Sequence, residues 1–322
     1  MGSVLVGDCR EVLPTLGAGS VQCVVTSPPY YGLRDYQHPD QIGLEPSVEA
    51  YVAEMVAVFR AVRRVLADDG TLWLNLGDSY SGGRSTGANG WKSGSIGAFS
   101  DAARGAPLGK RGDGIGPKQL LGVPWRVVFA LQADGWVLRS DIIWHKRSPL
   151  PESVRDRPTK SHEYLFLLAK RARYFYDASA IAEVAVSGRD LGILRSAKIA
   201  NANGVAPPIP SIASRRAAGV DSTTAGSGWR NKRTVWTIPP QPCKEAHFAV
   251  MPPALVEPCI LAGSRPGDTV LDPFLGAGTV GLVASRLGRE WVGIEINPEY
   301  AAMAERRVRD DAPLLAEVAN GG

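Results

Sequence analysis

The sequence of 322 residues has no long hydrophobic run and no leader-like start. No apolar stretch approaches the roughly 20 residues that a helix needs to cross a bilayer. Residues 1–10 also lack a basic segment followed by an apolar one, which is the pattern of an export signal. With 44% hydrophobic and 21% charged residues, the composition instead predicts a globular, cytoplasmic protein with a sizeable core.

Cysteine and histidine are also scarce, with four of each. Cys9, Cys23, Cys243 and Cys259 form no CxxC pair, and no histidine cluster accompanies them at the spacing of metal ligands. We therefore expect reduced thiols and no metal site.

Positive charge is concentrated in the middle of the chain, although the net charge is only +4. Residues 80–245 hold 25 Lys and Arg against 12 Asp and Glu, a balance of +13, whereas the rest holds 11 against 20, a balance of −9. A basic region beside acidic ends is typical of a face that binds a polyanion. A solvated basic surface without a partner is the alternative that charge alone leaves open.

Short apolar runs alternate with helical patterns along most of the chain. Strands are predicted at 4–6, 22–26, 71–76, 137–144, 164–168, 269–272 and 291–295. Helices are predicted at 48–66, 123–133, 253–262, 277–287 and 298–308. This alternation predicts an α/β fold in which helices cover both faces of a mostly parallel sheet.

Two stretches interrupt the alternation. Residues 79–117 are rich in Gly and Ser, and residues 187–233 are rich in Gly, Ala, Pro and Arg. The second stretch has eight basic residues against only Asp190 and Asp221, which favours a lobe that contacts nucleic acid over an idle linker.

A glycine-rich turn follows the strand predicted at 269–272. The sequence from Asp272 to Thr279 is Asp-Pro-Phe-Leu-Gly-Ala-Gly-Thr, and its glycines allow a sharp turn and a close approach of a ligand to the backbone. Glu295 ends the next predicted strand, where a carboxylate can accept hydrogen bonds from ribose hydroxyls. Together they predict an adenosine-binding site, although Glu295 alone would also suit a helix cap.

A second turn, Ser27-Pro28-Pro29-Tyr30, directly follows another predicted strand. The prolines fix the backbone and remove two amide donors, so that carbonyl acceptors remain in a rigid turn. With the Ser27 hydroxyl and the Tyr30 ring, the turn suits a flat base that carries an amino group. A Pro-Pro pair that merely ends a strand is the structural alternative.

These two motifs resemble those of the DNA amino-methyltransferases, which act on cytosine N4 or adenine N6. Ser-Pro-Pro-Tyr precedes the glycine-rich motif by more than 240 residues, which resembles the permuted order called the beta group. Further matches in the same order run along almost the whole chain, at 7–9, 70–75, 144–146, 157–159, 162–163 and 251–257.

The resemblance implies a Rossmann-like, seven-stranded sheet of the S-adenosylmethionine-dependent methyltransferases, circularly permuted and with an inserted basic target-recognition region. The implied layout is a catalytic half at 1–178, with an insertion near 79–117, and a target-recognition region at 179–246. A cofactor-binding half at 247–310 and a flexible tail at 311–322 follow.

The resemblance also implies roles for individual residues. Asp8 is expected to contact the adenine amino group of S-adenosylmethionine and Glu295 its ribose. The other expected cofactor contacts are Cys9, Asp272, Phe274, Gly276, Gly278 and Thr279. Candidate DNA contacts are the basic residues Lys146, Arg155, Arg157, Arg230, Lys232 and Arg233. Duplex DNA is the expected partner, and the family also allows a companion restriction endonuclease and a homodimer.

In this interpretation, the Ser27 hydroxyl and the Pro28 carbonyl accept the two N–H bonds of a flipped base, Pro29 keeps the turn rigid and Tyr30 stacks on the base. Cytosine N4 is favoured over adenine N6 because adenine-directed relatives usually carry Asp or Asn in place of Ser27. Methylation at cytosine C5 is disfavoured because neither Cys243 nor Cys259 stands in a Pro-Cys-Gln sequence. A non-catalytic DNA-binding subunit, or an enzyme acting on RNA or small amines, are the competing hypotheses.

Overall fold

The computed structural model describes residues 2–33, 38–81, 115–149, 151–184, 229–241 and 250–311. It divides the chain into a larger unit, residues 1–175 with 234–322, and a smaller unit, residues 176–233. Most of the Gly/Ser-rich stretch, most of 187–233, Cys243 and the predicted tail beyond Asp311 lie outside the described residues.

The larger unit is built on one eight-stranded sheet. Its strands are β1 (Ser3–Val6), β2 (Val21–Thr26), β3 (Leu66–Leu76), β4 (Val137–His145), β5 (His162–Ala169), β8 (Val235–Thr237), β9 (Thr269–Asp272) and β10 (Glu290–Glu295). Its helices are α1 (Cys9–Val12), α2 (Val48–Val65), α3 (Val123–Ala133), α4 (Pro253–Gly263), α5 (Thr279–Arg286) and α6 (Pro298–Asp311), and a 3-10 turn covers Leu13–Thr15.

The strand order is β1-β10-β9-β2-β3-β5-β4-β8. Neighbouring strands are parallel except that β5 runs antiparallel to β3 and β4. The seven predicted strands and the mixed α/β fold are confirmed. The sheet has one further strand, β8, whose three residues are too few to give a recognisable alternating pattern.

Local sequence explains where the predicted helices begin and end. In α2, the Ser47 hydroxyl caps the first turn by accepting the Ala50 amide at 3.1 Å, and apolar residues at helical spacing are buried. The predicted helix at 277–287 begins two residues later, at Thr279. Gly278 has φ +76°, a left-handed conformation that favours glycine and that precedes the first helical residue.

Helices pack on both faces of the sheet. Helices α2 and α3 share a hydrophobic core with Leu72 and Leu74 of β3, whose side chains face the same side. On the other side, a Cβ atom on Gly263 of α4 would lie 2.6 Å from Thr71 Oγ1 and 2.8 Å from Cys23 Sγ. Only glycine allows α4 to approach the central strands this closely.

The order of the strands reverses between β9 and β2, in the middle of the sheet. After β9 the chain crosses through α5 to β10 on one side, and after β2 it crosses through α2 to β3 on the other. The carboxyl ends of β1, β10, β9, β2 and β3 therefore lie along one edge, and the gap between β9 and β2 is the topological switch point. Ligands of such sheets bind at this point.

In the smaller unit, the described residues include a short antiparallel pair, β6 (Glu183–Val184) and β7 (Trp229–Arg230). Across both units, no described helix is long and apolar enough to span a membrane. Within the described ranges, no group of His, Cys, Asp and Glu is arranged to hold a metal ion.

Candidate active site

A cavity of about 270 Å³ opens at the carboxyl ends of the parallel strands in the larger unit. Its glycine-rich wall consists of Asp8, Cys9, residues 272–277, Thr279, Ile294 and Glu295. The proline wall opposite consists of Ser27–Tyr30 with Asn75, Lys146 and Glu163. The sheet thus brings together two motifs that lie at opposite ends of the sequence.

The glycine-rich wall contains nearly all of the predicted cofactor residues. Those that line the cavity are Asp8, Cys9, Asp272, Phe274, Gly276, Thr279 and Glu295. Gly278 is not among the described residues that line it. A Cβ at this position would lie 2.8 Å from the Ala304 Cβ, so that Gly278 allows α6 to pack against the turn.

Asp272 lies at the switch point and links the two walls. Its Oδ1 accepts the Thr26 hydroxyl at 2.7 Å and the Phe274 amide at 3.0 Å. Burial raises the pKa of Asp272 to about 7, although these two hydrogen bonds act in the opposite direction. Oδ1 of Asp272 is therefore used in hydrogen bonds within the protein that hold the turn in place.

Glu295 holds the glycine-rich turn against β10. Its carboxylate oxygens accept the Gly276 amide at 2.8 Å and the Asn297 amide at 2.9 Å, and burial raises its pKa. Each oxygen can accept a further hydrogen bond, so the cap and the predicted ribose contact are compatible.

Asp8 follows β1 and caps the short helix α1. It accepts the Arg10 amide at 2.8 Å and forms an ion pair with the Arg10 guanidinium at 2.5 Å. Burial alone would raise the pKa of Asp8, but the hydrogen bonds from Arg10 outweigh it and lower the pKa. Cys9 is buried beside it, and burial raises the pKa of this thiol to about 12. A neutral thiol there can offer only apolar packing and a weak hydrogen bond.

The Ser-Pro-Pro-Tyr turn is held from the side away from the cavity. The Tyr51 hydroxyl of α2 donates to the Pro29 carbonyl at 2.8 Å. A Cβ on Gly43, which has φ +108°, would lie 3.2 Å from the Tyr30 carbonyl oxygen. The Pro29 carbonyl is thus engaged within the protein, so the Pro28 carbonyl is the better candidate for contact with a base.

The Tyr30 hydroxyl is the centre of a polar cluster on the proline wall. The Ser27 hydroxyl donates to it at 3.3 Å, and it can donate to Glu163 Oε2 at 2.8 Å or to Asn75 Oδ1 at 3.1 Å. Lys146 forms an ion pair with the other oxygen of Glu163. The sequence alone gives no role to Asn75 or Glu163, and the one signal for them is their place in segments that match the family.

The predicted DNA contacts lie in three different settings. Lys146 lines the cavity, with Nζ 4.4 Å from the centroid of the Trp144 ring. Arg155 is exposed, whereas Arg157 pairs with Glu152 at 2.7 Å and lies 4.1 Å from the centroid of the Tyr80 ring. In the smaller unit, the remaining three are Arg230, Lys232 and Arg233, and both arginines pair with Glu183, at 2.8 and 2.5 Å.

The residues of the glycine-rich wall fit S-adenosylmethionine. Two carboxylates, Asp8 and Glu295, offer acceptors for amino and hydroxyl groups, while Phe274 and Ile294 offer apolar surface.

Comparison with known proteins also identifies the chain as a DNA methyltransferase. The family model described as DNA methylase, for N6 and N4 methyltransferases, matches residues 21–306. Type II methyltransferase M.SmaI of Serratia marcescens is 46% identical over 308 residues, which cover 95% of this chain and 90% of that protein. Type II methyltransferase M.Cfr9I of Citrobacter freundii is 44% identical over 314 residues, covering 97% and 89%.

Solved structures are also similar. A protein of Thermus thermophilus, assigned as a DNA modification methylase and crystallised with S-adenosyl-L-methionine, has a TM-score of 0.59 at 25% identity, covering 97% of this chain and 95% of that one. The cytosine-N4-specific PvuII DNA methyltransferase has a TM-score of 0.61 at 20% identity, covering 96% and 90%, and supports the fold. The chain therefore belongs to the N6 and N4 DNA methylase family and is a DNA methyltransferase that uses S-adenosylmethionine.

Proposed function

We propose that this methyltransferase modifies the exocyclic N4 of cytosine in duplex DNA. The observation that carries the proposal is the position of Ser27, a neutral hydroxyl on the cavity wall that donates its own hydrogen toward Tyr30. With that hydrogen directed away, its lone pairs remain for an N–H of the substrate.

An exocyclic amine of a base is a poor nucleophile because its lone pair is delocalised into the ring. Hydrogen bonds from its two N–H groups to Ser27 Oγ and the Pro28 carbonyl would draw the nitrogen toward tetrahedral geometry. S-adenosylmethionine supplies the methyl group on a positively charged sulfur. The contribution of the chain is to orient the amine and to stabilise the positive charge that develops on it.

Lys146 supports cytosine as the target. Its ammonium has three N–H donors, of which Glu163 accepts one, and it lies on the same wall as Ser27. Cytosine carries two acceptors, O2 and N3, along the edge beside N4, whereas adenine carries N1 followed by a C–H. We therefore propose that Lys146 contacts the base in the cavity rather than a DNA phosphate.

The proposed cofactor contacts follow the glycine-rich wall. Asp8 would accept the adenine amino group and Glu295 the ribose hydroxyls. The remaining contacts with the adenosine and methionine moieties would come from Cys9, Asp272, Phe274, Gly276 and Thr279. Gly278 would act indirectly, because it sets the path of the turn and the start of α5.

A base inside a duplex cannot reach this cavity, so we propose that the enzyme flips its target out of the helix. Tyr30 would stack on the flipped base. Arg155 and Arg157, together with Arg230, Lys232 and Arg233, would neutralise phosphates and so offset the cost of unstacking. The layout at 1–178, 179–246, 247–310 and 311–322, with target recognition in 179–246, stays a prediction, as do the companion endonuclease and the homodimer.

The test is to express the chain in cells that lack methyltransferases, digest their DNA to nucleosides and separate these by chromatography and mass. We expect N4-methylcytosine, which chromatography separates from its isomer 5-methylcytosine. The Ser27→Ala variant is the matched control, because it should give far less product at equal expression. N6-methyladenine as the sole product would overturn the proposed target and leave the family assignment intact.

A further inference from the structure

Three hydroxyl and carboxylate groups on the proline wall form a directed chain of hydrogen bonds. Ser27 Oγ donates to the Tyr30 hydroxyl at 3.3 Å, and the Tyr30 hydroxyl donates to Glu163 Oε2 at 2.8 Å. The first distance is longer than a typical O–H···O bond, and such bonds often tighten when substrate binds. The chain begins where the proposed function places the amine and ends on a carboxylate.

The alternative acceptor of the Tyr30 hydrogen is Asn75, at 3.1 Å. The amide nitrogen of Asn75 donates to the Tyr164 carbonyl at 3.0 Å, which fixes its oxygen toward Tyr30. A carboxamide can accept a hydrogen bond but does not take up a proton at neutral pH, whereas a carboxylate can do both. A hydrogen bond to a carboxylate is also the stronger of the two.

Charged groups from two stretches of the chain surround the Glu163 carboxylate. Lys146, directly after β4, pairs with its Oε1, and Lys160 and His162, which precede it in the chain, interact with it electrostatically. The side chain of Glu163 remains 17% exposed. A proton that reaches it can therefore pass on to solvent.

We propose that Glu163, acting through Tyr30 and Ser27, finally accepts the proton that the amine loses during methyl transfer. Because it acts through other residues, Glu163 is a positioning residue. It also makes Ser27 Oγ a stronger hydrogen-bond acceptor. The proposal rests on the proposed function, because it requires the amine to contact Ser27. It adds a role for Glu163 and for the Tyr30 hydroxyl that the stacking of a base on the Tyr30 ring does not need.

The step is balanced in atoms and charge. The nitrogen lone pair forms the N–CH₃ bond, and the electron pair of the broken S–CH₃ bond stays on sulfur as a neutral thioether. The positively charged amine passes a proton to Ser27 Oγ as Ser27 passes its own to Tyr30 and Tyr30 passes its own to Glu163. The products are a neutral methylamino group and a protonated Glu163, which returns its proton to solvent.

The transfer is favourable because loss of the proton restores the conjugation of the amine with the ring. An exocyclic amine that is protonated on its own nitrogen is therefore a far stronger acid than a carboxylic acid.

The test compares Glu163→Gln, Tyr30→Phe and the double variant in single-turnover methylation of DNA by the full chain. Gln keeps an oxygen that can accept from Tyr30 and Lys146 but cannot take up a proton. We expect each single variant to lower the rate on the order of 100-fold, the usual contribution of proton transfer. If the residues act as one chain, the double variant is no slower than the slower single variant.

Binding and stability measurements distinguish the relay from a structural role. Cofactor affinity by calorimetry, DNA affinity and melting temperature should match the wild type within about twofold or a few degrees. Glu49→Gln, which removes a surface ion pair with Arg126, is the matched control and should leave the rate unchanged.

Wild-type rates in Glu163→Gln would overturn the relay, as would additive losses in the double variant. Rate losses that are explained by weaker binding of cofactor or DNA, or by a lower melting temperature, would overturn the relay as well. Because a relay to Glu163 would also serve an adenine amine, a methyladenine product overturns only the target base. An unaffected Ser27→Ala rate overturns the amine contact itself, so failure of the proposed function can be distinguished from failure of the relay.

Discussion

The two walls of the cavity are built in different ways. The glycine-rich wall takes most of its residues from one continuous stretch, 272–295, and fixes them with backbone hydrogen bonds such as Gly276 to Glu295 at 2.8 Å. The proline wall takes Ser27 and Tyr30 from the turn after β2, Asn75 from β3, Lys146 from the position directly after β4 and Glu163 from β5. The Tyr30 hydroxyl joins this turn to Asn75 and Glu163, which lie 45 and 133 positions away in the sequence.

We infer from this difference that the two walls have separate roles, one in cofactor binding and the other in methyl transfer. Backbone amides and two carboxylates create a surface that is formed before the ligand arrives, as a binding site requires. A network of side chains can instead redistribute protons and strengthen as the amine changes geometry. The glycine-rich wall should therefore determine cofactor affinity and the proline wall turnover, and the substitutions below test that separation.

Ser27→Ala should give the largest effect. We expect single-turnover methylation to fall on the order of 100- to 1000-fold, because the lost contact is strongest when the amine is tetrahedral. Cofactor affinity should stay within about twofold of the wild type. A comparable loss of cofactor affinity in calorimetry would contradict the separation of the two walls.

Asp8→Asn and Glu295→Gln should act in the opposite way. Each should weaken S-adenosylmethionine binding by about 1–3 kcal/mol, on the order of 5- to 150-fold in Kd, because a carboxylate acceptor is replaced by a group that also donates. Turnover at saturating cofactor should change little. Unchanged Kd in both variants would remove these two residues from the cofactor site.

The same contrast explains how much the sequence could predict. The strand at 269–272 and the helix at 123–133 agree with the structure to the residue because apolar periodicity and the flanking Gly and Pro residues are local signals. The motifs at 27–30 and 272–279 stand out for the same reason, since each is a short stretch whose residue types need a turn and a close ligand.

Glu163 and Asn75 could not be assigned in this way. Their functional relation to Tyr30 depends on β5 lying antiparallel to β3, with Asn75 opposite Leu165. No local pattern encodes that pairing, because it arises only when the whole sheet forms. The sequence predicts Lys146 only as a DNA contact, since a basic residue in a basic region gives no sign that it pairs with Glu163, a half-buried carboxylate.

Gly77→Ala would perturb the proline wall without removing any of its polar groups. A Cβ at this position would lie 2.5 Å from Tyr30 Cε2, and the ring cannot move away without leaving Asn75 and Glu163. We expect turnover to fall on the order of tenfold with unchanged cofactor affinity. Gly17→Ala is the control, since its nearest new contact would be Ser20 at 3.5 Å. Equal rates in the two variants would mean that the position of the Tyr30 ring does not limit turnover.

The smallest effect should come from Asp272, which joins the two walls. The pKa of Asp272 is raised from 3.8 to about 7 by burial, so between these values the folded chain binds a proton that the unfolded chain has released. The free energy of unfolding therefore falls as the pH rises through this window, and the loss is complete above pH 7.

Asp272→Asn removes this titration, and its amide oxygen can still accept from Thr26 and from the Phe274 amide. The melting temperature of the variant relative to the wild type should consequently rise between pH 5 and pH 8, by a few degrees. Asp268→Asn, at the other end of the same strand region, controls for loss of a carboxylate. A difference between Asp272→Asn and the wild type that does not vary with pH would mean that Asp272 is ionised throughout. In that case its hydrogen bonds with Thr26 and Phe274, rather than its burial, would determine its charge at the junction of the two walls.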